Sequence, residues 1–145
     1  MEAPYTPNWQ VYLPDTSQII EDANDIAQCI YIILCTVKGS DPLRPTFGSD
    51  VYLYIDRPMN EAQPALVYEV YASVERWEKR VRLTIVRVRD VDIDKKEIAI
   101  IGFIAGSSER VEMSFTIDRT PKLNVLLSDY ADILADEFSN ILILI

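Results

Sequence analysis

The side chains best suited to covalent or acid–base chemistry are Cys29, Cys35 and three acids in one segment, Glu69, Glu75 and Glu78. The chain has no histidine, which excludes Ser-His and Cys-His nucleophiles, a His-ligated metal and a histidine pH switch. The two cysteines fall within one stretch of helical periodicity at a spacing that puts them on different faces, too far apart for a relaxed disulfide. With no base nearby to generate a thiolate, they read as reduced packing residues. Glycoside hydrolysis needs two carboxylates flanking a sugar cleft, one with a raised pKa, and no signature of that kind surrounds the three acids. The residues therefore indicate no catalytic group, no metal and no cofactor. Recognition of another protein suits them better. Glu78 and Arg80, at the end of the acidic segment, read by themselves as ordinary surface charge at a helix end.

Composition agrees with a protein-binding role. A chain of 145 residues with 49% hydrophobic residues and a mean hydropathy of +0.04 can bury a core as a single domain without disulfides or metal. The net charge of −9 and a pI near 4.4 argue against neutralising duplex phosphates, so nucleic acid is not an expected partner. No signal-like segment opens the chain and no apolar run approaches the ~20 residues of a membrane span, so the expectation is a soluble chain, not exported by that route, with no membrane partner.

The elements that must position these residues follow from periodicity. Residues 1–14, with Pro4, Pro7 and Pro14 among aromatic residues, predict an extended arm lying on this or a neighbouring subunit, the alternative being a disordered terminus. Asp15, Thr16 or Ser17 is expected to cap a first helix over about 20–36, striped by Ile19, Ala23, Ile26, Ala27, Ile30, Ile33 and Leu34 and ended by Gly39. A second helix is expected to open at Asn60, with Ala62, Leu66, Val70, Val74 and Trp77 in one stripe. Between the helices lies KGSDPLRPTFGSDVYLYIDRP, residues 38–58. Its glycines and prolines, notably Gly39, Pro42, Pro45 and Gly48, dictate the backbone path. Leu43, Phe47, Val51 and Leu53 are its expected core anchors, while Arg44 and the other charges stay near the surface.

From residue 80 the hydrophobic period changes to two. Val81, Leu83 and Ile85 alternate, then Val86 and Val88 continue in the opposite phase, which predicts a bulge or a change of buried face near Ile85. The next strand, about 97–105, is apolar on both faces and should be central. Arg110 to Asp118 alternates strictly, predicting a half-buried strand. The expected fold is α+β: two amphipathic helices on a three-stranded antiparallel meander, within a core of residues 15–118. A C-terminal extension, 119–145, carries a predicted amphipathic helix with Tyr130, Ile133, Leu134, Phe138, Ile141 and Leu142 at helical spacing, and it either caps the core or docks on a partner.

The order IAQCIYIILCTVKGSDPLRPTFGSDVYLYI followed by RPMNEAQPALVYEVYASVERWEKRVRL resembles the baseplate wedge protein W family of contractile phage tails. That family includes the tail lysozyme-like wedge subunit of large phages and the matching subunit of type VI secretion baseplates. The resemblance spans roughly residues 20–118. It implies a structural subunit of the virion tail baseplate, made in the host cytoplasm and present in six copies, that links the wedge to the first ring of sheath and initiates sheath assembly. Two binding surfaces come with it. One is the end of the second helix, where the family's Glu-Pro-Arg triplet contacts the core bundle of the larger wedge proteins. Here the matching residues are Glu78, Lys79 and Arg80, with Trp77 beside them, so the charges are kept and the proline is lost. The other surface is the sheet, which takes a sheath strand by β-augmentation, with Arg82, Arg87, Arg110, Glu112, Ser114 and Thr116 as candidate contacts. Gly39, Pro42, Arg44, Pro45, Phe47 and Gly48 form the structural connector between the helices. Partners are then the tail sheath protein and the larger wedge proteins, with tube or hub proteins as further candidates. Competing readings are a lysozyme-like glycoside hydrolase of the tail and an assembly adaptor that is not incorporated.

Overall fold

The structure is a computed structural model and describes residues 7–118. The meander forms as its alternation predicts. β3 (Val81–Asp92), β4 (Lys95–Ile104) and β5 (Arg110–Asp118) pair antiparallel in the order β3-β4-β5, with β4 in the centre. A register shift between Leu83 and Ile85 leaves Thr84 without a partner across the pair, and this bulge is what lets Val86 and Val88 turn inward after Val81 and Leu83. One face of the sheet, carrying Val81, Val88, Ile98, Ile100, Val111, Met113 and Phe115, is buried. Among the described residues no helix or sheet covers the opposite face.

Two helices cover the buried face. α2 (Met59–Trp77) presents Ala62, Leu66, Val70 and Val74, all fully buried, and α1 (Asp22–Cys35) presents Ile26, Ala27, Ile30 and Leu34. The hydrophobic stripes thus dock as their spacing requires. Pro64 lies inside α2, where its missing amide costs the single bond to Asn60 near the helix start. Pro58, rather than Asn60, occupies the N-cap position.

The start of α1 differs from the sequence expectation. Ile19 belongs to a short strand, β2 (Ile19–Glu21), which pairs antiparallel with β1 (Trp9–Val11). Asp15 caps the turn between those strands, accepting from the Ser17 amide at 3.0 Å and from Gln18 Nε2 at 2.6 Å, so it is not available to cap the helix. The described part of the N-terminal arm therefore folds back on its own chain. Gln28, fully buried on α1, fixes it by donating to the Val11 carbonyl at 3.0 Å and accepting from the Leu13 amide at 3.1 Å.

The connector also departs from expectation in its anchors. Phe47 and Val51 are buried, and so is Ile55, but Leu43 is 93% exposed and Leu53 is 50% exposed. Leu43 projects because Asp41 caps a tight turn around it, accepting from the Leu43 and Arg44 amides. Leu53 lies in a short 3-10 turn, Val51–Tyr54, whose register turns Val51 inward instead. α1 ends at Cys35, before Gly39, and Ser49 satisfies its last carbonyls: the Ser49 hydroxyl donates to Leu34 O at 2.7 Å and its amide to Thr36 O at 2.8 Å. That close approach needs a residue without a side chain at position 48. Gly48 has φ +109°, and a Cβ there would overlap the Thr36 carbonyl oxygen.

Gly48→Ala is accordingly expected to lower stability by roughly 2–4 kcal/mol. Gly39→Ala, at φ +87° with nothing within 4 Å of the added carbon, should cost only about 1 kcal/mol. Urea unfolding of the two variants checks the difference. Equal losses would mean that strain alone, and not the contact with Thr36, sets the requirement.

Candidate protein-binding surfaces

At the turn from α2 into β3 a single guanidinium gathers three elements. Arg80 Nε donates to Glu78 Oε1 at 2.9 Å and Nη2 to Glu78 Oε2 at 2.8 Å, forming the planar pair that its type predicts. Nη1 reaches Asp25 Oδ2 on α1, and Nη2 also lies 3.3 Å from Cys29 Sγ. The helix positions this set because Asp25 and Cys29 are four residues apart on one face of α1. Glu78 caps the end of α2 in extended conformation, its amide still bonded to Val74 O. Asp25 and Glu78 are buried, whereas a third of the Arg80 side chain remains exposed.

The electrostatics follow from that burial. Desolvation pushes the Glu78 carboxyl up, but the bonds and charge of Arg80 outweigh it and hold the group below its ordinary value. The same contacts, led by the hydrogen bonds from Glu78, raise Arg80 further. Cys29 is pushed up to about 11, first by burial and then by the Asp25 and Glu78 charges. Its thiol is therefore held protonated, in keeping with a packing role.

A second brace ties the connector to α2. Glu69, buried, accepts from Lys38 Nζ at 2.6 Å and from the Asp50 amide at 2.9 Å, and Lys38 also pairs with Asp50 at 3.1 Å. Burial raises the Glu69 pKa, yet these donors bring it below its ordinary value. Beside it, Phe47 and Trp77 meet edge to face at 5.1 Å, with Arg44 4.0 Å over Phe47 and Arg76 5.2 Å over Trp77. Trp77 is thus bound to the connector on one side while its neighbour Glu78 faces α1. Pro42 and Pro45 stay exposed, and the Pro45 carbonyl accepts from the Gly39 amide at 2.8 Å.

The sheet's open face collects all six candidate strand-addition residues. Register places Arg82 and Arg87 opposite Phe103 and Ala99, and Arg110, Glu112, Ser114 and Thr116 opposite Phe103, Ile101, Ala99 and Glu97. The Ile104 amide donates to Glu109 O. By the alternation of an antiparallel pair, the amides of Val111, Met113, Phe115 and Ile117 then point toward β4, and those of Arg110, Glu112, Ser114 and Thr116 point to the outer edge. Among the described residues no further strand pairs with either edge.

Sequence reasoning named Glu78, Arg80 and the sheet residues as candidates but missed Asp25, Cys29, Lys38 and Glu69, which brace the corner and the connector. A signal existed for Glu69, which sits within the apolar run LVYEVYASV, where a buried acid requires a donor, but not for Asp25, whose neighbours are largely polar. Among the described residues no group of His, Cys, Asp and Glu is placed to hold a metal ion, and no helix is long and apolar enough to cross a membrane.

The family model for baseplate wedge protein gp25 matches residues 21–104, which include both helices, the connector and the corner at Glu78 and Arg80. Among solved structures, the chain is similar to a protein described as a tail lysozyme from Geobacter sulfurreducens, at 24% identity and a TM-score of 0.62, over 70% of this chain and 95% of that one. This second likeness is one of fold. No curated protein matches.

Because Glu78 titrates low in the fold, it contributes stability that is present above its unfolded pKa and lost as pH falls through the folded one. Glu78→Gln should therefore flatten the acid limb of a urea-midpoint profile between pH 3 and 7. Arg80→Gln, which strands two buried carboxylates, should cost about 3 kcal/mol near neutrality. A profile as steep in Glu78→Gln as in wild type would remove the pair from the account. Iodoacetamide should alkylate Cys29 in the native chain at pH 7.5 at least ~100-fold more slowly than after unfolding, as followed by peptide mass spectrometry. Comparable rates would show that the thiol is not held protonated.

Proposed function

The chain belongs to the baseplate wedge protein gp25 family, a structural family of the phage tail baseplate, and from that premise we propose that it is the wedge subunit that starts the sheath. The family places it with other baseplate components. In this reading it links the core bundle of the larger wedge proteins to the first sheath ring, six copies to a baseplate. Trp77, Glu78 and Arg80 supply the wedge surface. Arg80 uses four donor contacts internally, which leaves one Nη1 hydrogen without a partner among them, and a third of its side chain is exposed. Glu78 acts by holding that guanidinium in place. A partner carbonyl or carboxylate is the complementary group.

The observation that carries the sheath half is the outer edge of β5. Arg110, Glu112, Ser114 and Thr116 turn both their amides and their side chains away from the core, the arrangement that a strand from another chain needs for main-chain pairing with side-chain selectivity. Arg82 and Arg87 border the same open face. The mechanism is mechanical: the sheet templates the first ring, the corner fixes the template to the wedge, and a contraction signal passes as rigid-body movement.

A glycosidase reading is supported less well. Its general acid needs a carboxyl with a raised pKa, whereas the buried carboxylates of Glu69 on α2 and of Glu78 just after it are both held low, by hydrogen bonds and charge from Lys38 and Arg80 respectively. These acids are built into braces.

Co-purification with the sheath and larger wedge proteins tests the proposal. Arg80→Lys keeps the charge but loses the fork, and should reduce capture of the wedge proteins about tenfold while leaving the sheath bound. Glu112→Pro deletes one outward amide at an edge position that proline tolerates, and should do the reverse. Both variants are first shown to be folded by circular dichroism. Wild-type capture of wedge proteins by Arg80→Lys would sink the corner assignment, and wild-type capture of sheath by Glu112→Pro would sink the edge assignment.

A further inference from the structure

We propose that residues 128–145 of this chain dock as a helix across the open face of its own sheet, with Glu137 against the arginines of β3. The face is shaped for such an occupant. Along β4 the open side carries Ala99, Ile101 and Phe103, with Ile85 of β3 opposite Ile101; Phe103 is 42% and Ile85 is 36% exposed. The acids of this face are already engaged, Glu112 with Arg110, and Glu97 with Arg89 and Ser114. Arg82 and Arg87 border the same strip on β3 and make no ion pair among the described residues. An apolar strip beside two unpaired guanidinium groups selects an amphipathic segment that brings an acid within its apolar face.

The chain beyond Asp118 has that composition. Residues 119–145 lie outside the described residues, and their pattern is read from sequence. Tyr130, Ile133, Leu134, Phe138, Ile141 and Leu142 fall on one side of a helix. Glu137, seven residues after Tyr130, falls within that stripe, while Asp129, Asp132 and Asp136 lie on the opposite side. The stripe from 130 to 142 is about 18 Å long, and Ala99 to Phe103 spans about 13 Å of strand. Reach also permits it. β5 ends at Asp118 opposite Lys95, and residues 119–127 can extend about 30 Å, enough to round the edge of β5 and return over the strip. The proposal takes Arg82 and Arg87 away from the sheath reading, but a helix on the face leaves the β5 edge amides open to a strand, so the two can fail separately.

Benzoylphenylalanine in place of Phe103 in the full chain tests this directly. On irradiation of a dilute sample, cross-links are expected within the monomer and to residues 128–145, as identified by peptide mass spectrometry. Glu137→Arg should lower their yield about fivefold, and adding Arg87→Glu should restore most of it, with circular dichroism verifying that each variant is folded. Cross-links chiefly to a second copy, to another protein or to other parts of the chain would overturn the proposal, as would an unchanged yield in Glu137→Arg.

Discussion

The bidentate pair of Arg80 with Glu78, extended to Asp25, fixes how the three main pieces of this protein meet. Asp25 belongs to α1, Glu78 ends α2 and Arg80 leads into β3. Hydrophobic stripes alone would allow the helices to slide or rotate over the sheet, since apolar contact is non-directional. A planar guanidinium with two carboxylates allows little of that freedom. Its net contribution to stability is small beside the cost of burying three charges, so its consequence lies in geometry: the exit angle of β3 from α2 is set relative to α1. Lys79 bonds to the Glu75 carbonyl at 2.6 Å, so a side chain caps a carbonyl of the last turn of α2.

The Lys38, Asp50 and Glu69 brace does for the connector what Arg80 does for the corner. Glu69 satisfies the Asp50 amide just before the 3-10 turn, and Ser49 closes the carbonyl end of α1. Each link serves a backbone group that would otherwise be buried without a partner. The long connection is therefore ordered by polar bonds at its base and by Phe47 against Trp77, while its Leu43 tip projects into solvent. Trp77 is where the two braces meet. Its ring receives the connector, and the next residue belongs to the Arg80 set.

What the sequence made legible was period. The phase change at Val86, the two-sided apolar strand and the strict alternation from Arg110 predicted the bulge, the central strand and the half-buried edge because side-chain direction in a strand is fixed by chain geometry. The α2 stripe was legible for the corresponding reason in helices. Contacts between distant positions were not. Asp15 looks like a helix cap until the hairpin of β1 and β2 uses it for a turn. Leu43 and Leu53 look like anchors until turn geometry assigns burial to Val51 and Ile55. At the candidate surface, Glu78 and Arg80 could be named, but their engagement with Asp25 across 55 residues depends on tertiary packing that no local pattern records.

That internal engagement changes what the corner can offer a partner. A freely exposed Arg–Glu pair would present both signs and adapt to many surfaces, but it would lose side-chain entropy on binding. Here both carboxylates are buried, and only about a third of the Arg80 side chain remains exposed. The surface is a preorganised donor that acceptors can match with little further ordering. The open side of the sheet has the opposite character: its edge amides and half-exposed apolar strip are unspecific until a segment of suitable pattern covers them. A rigid corner beside a receptive sheet gives the protein two surfaces of opposite character, one fixed by buried charge pairs and one open to whatever segment matches its pattern.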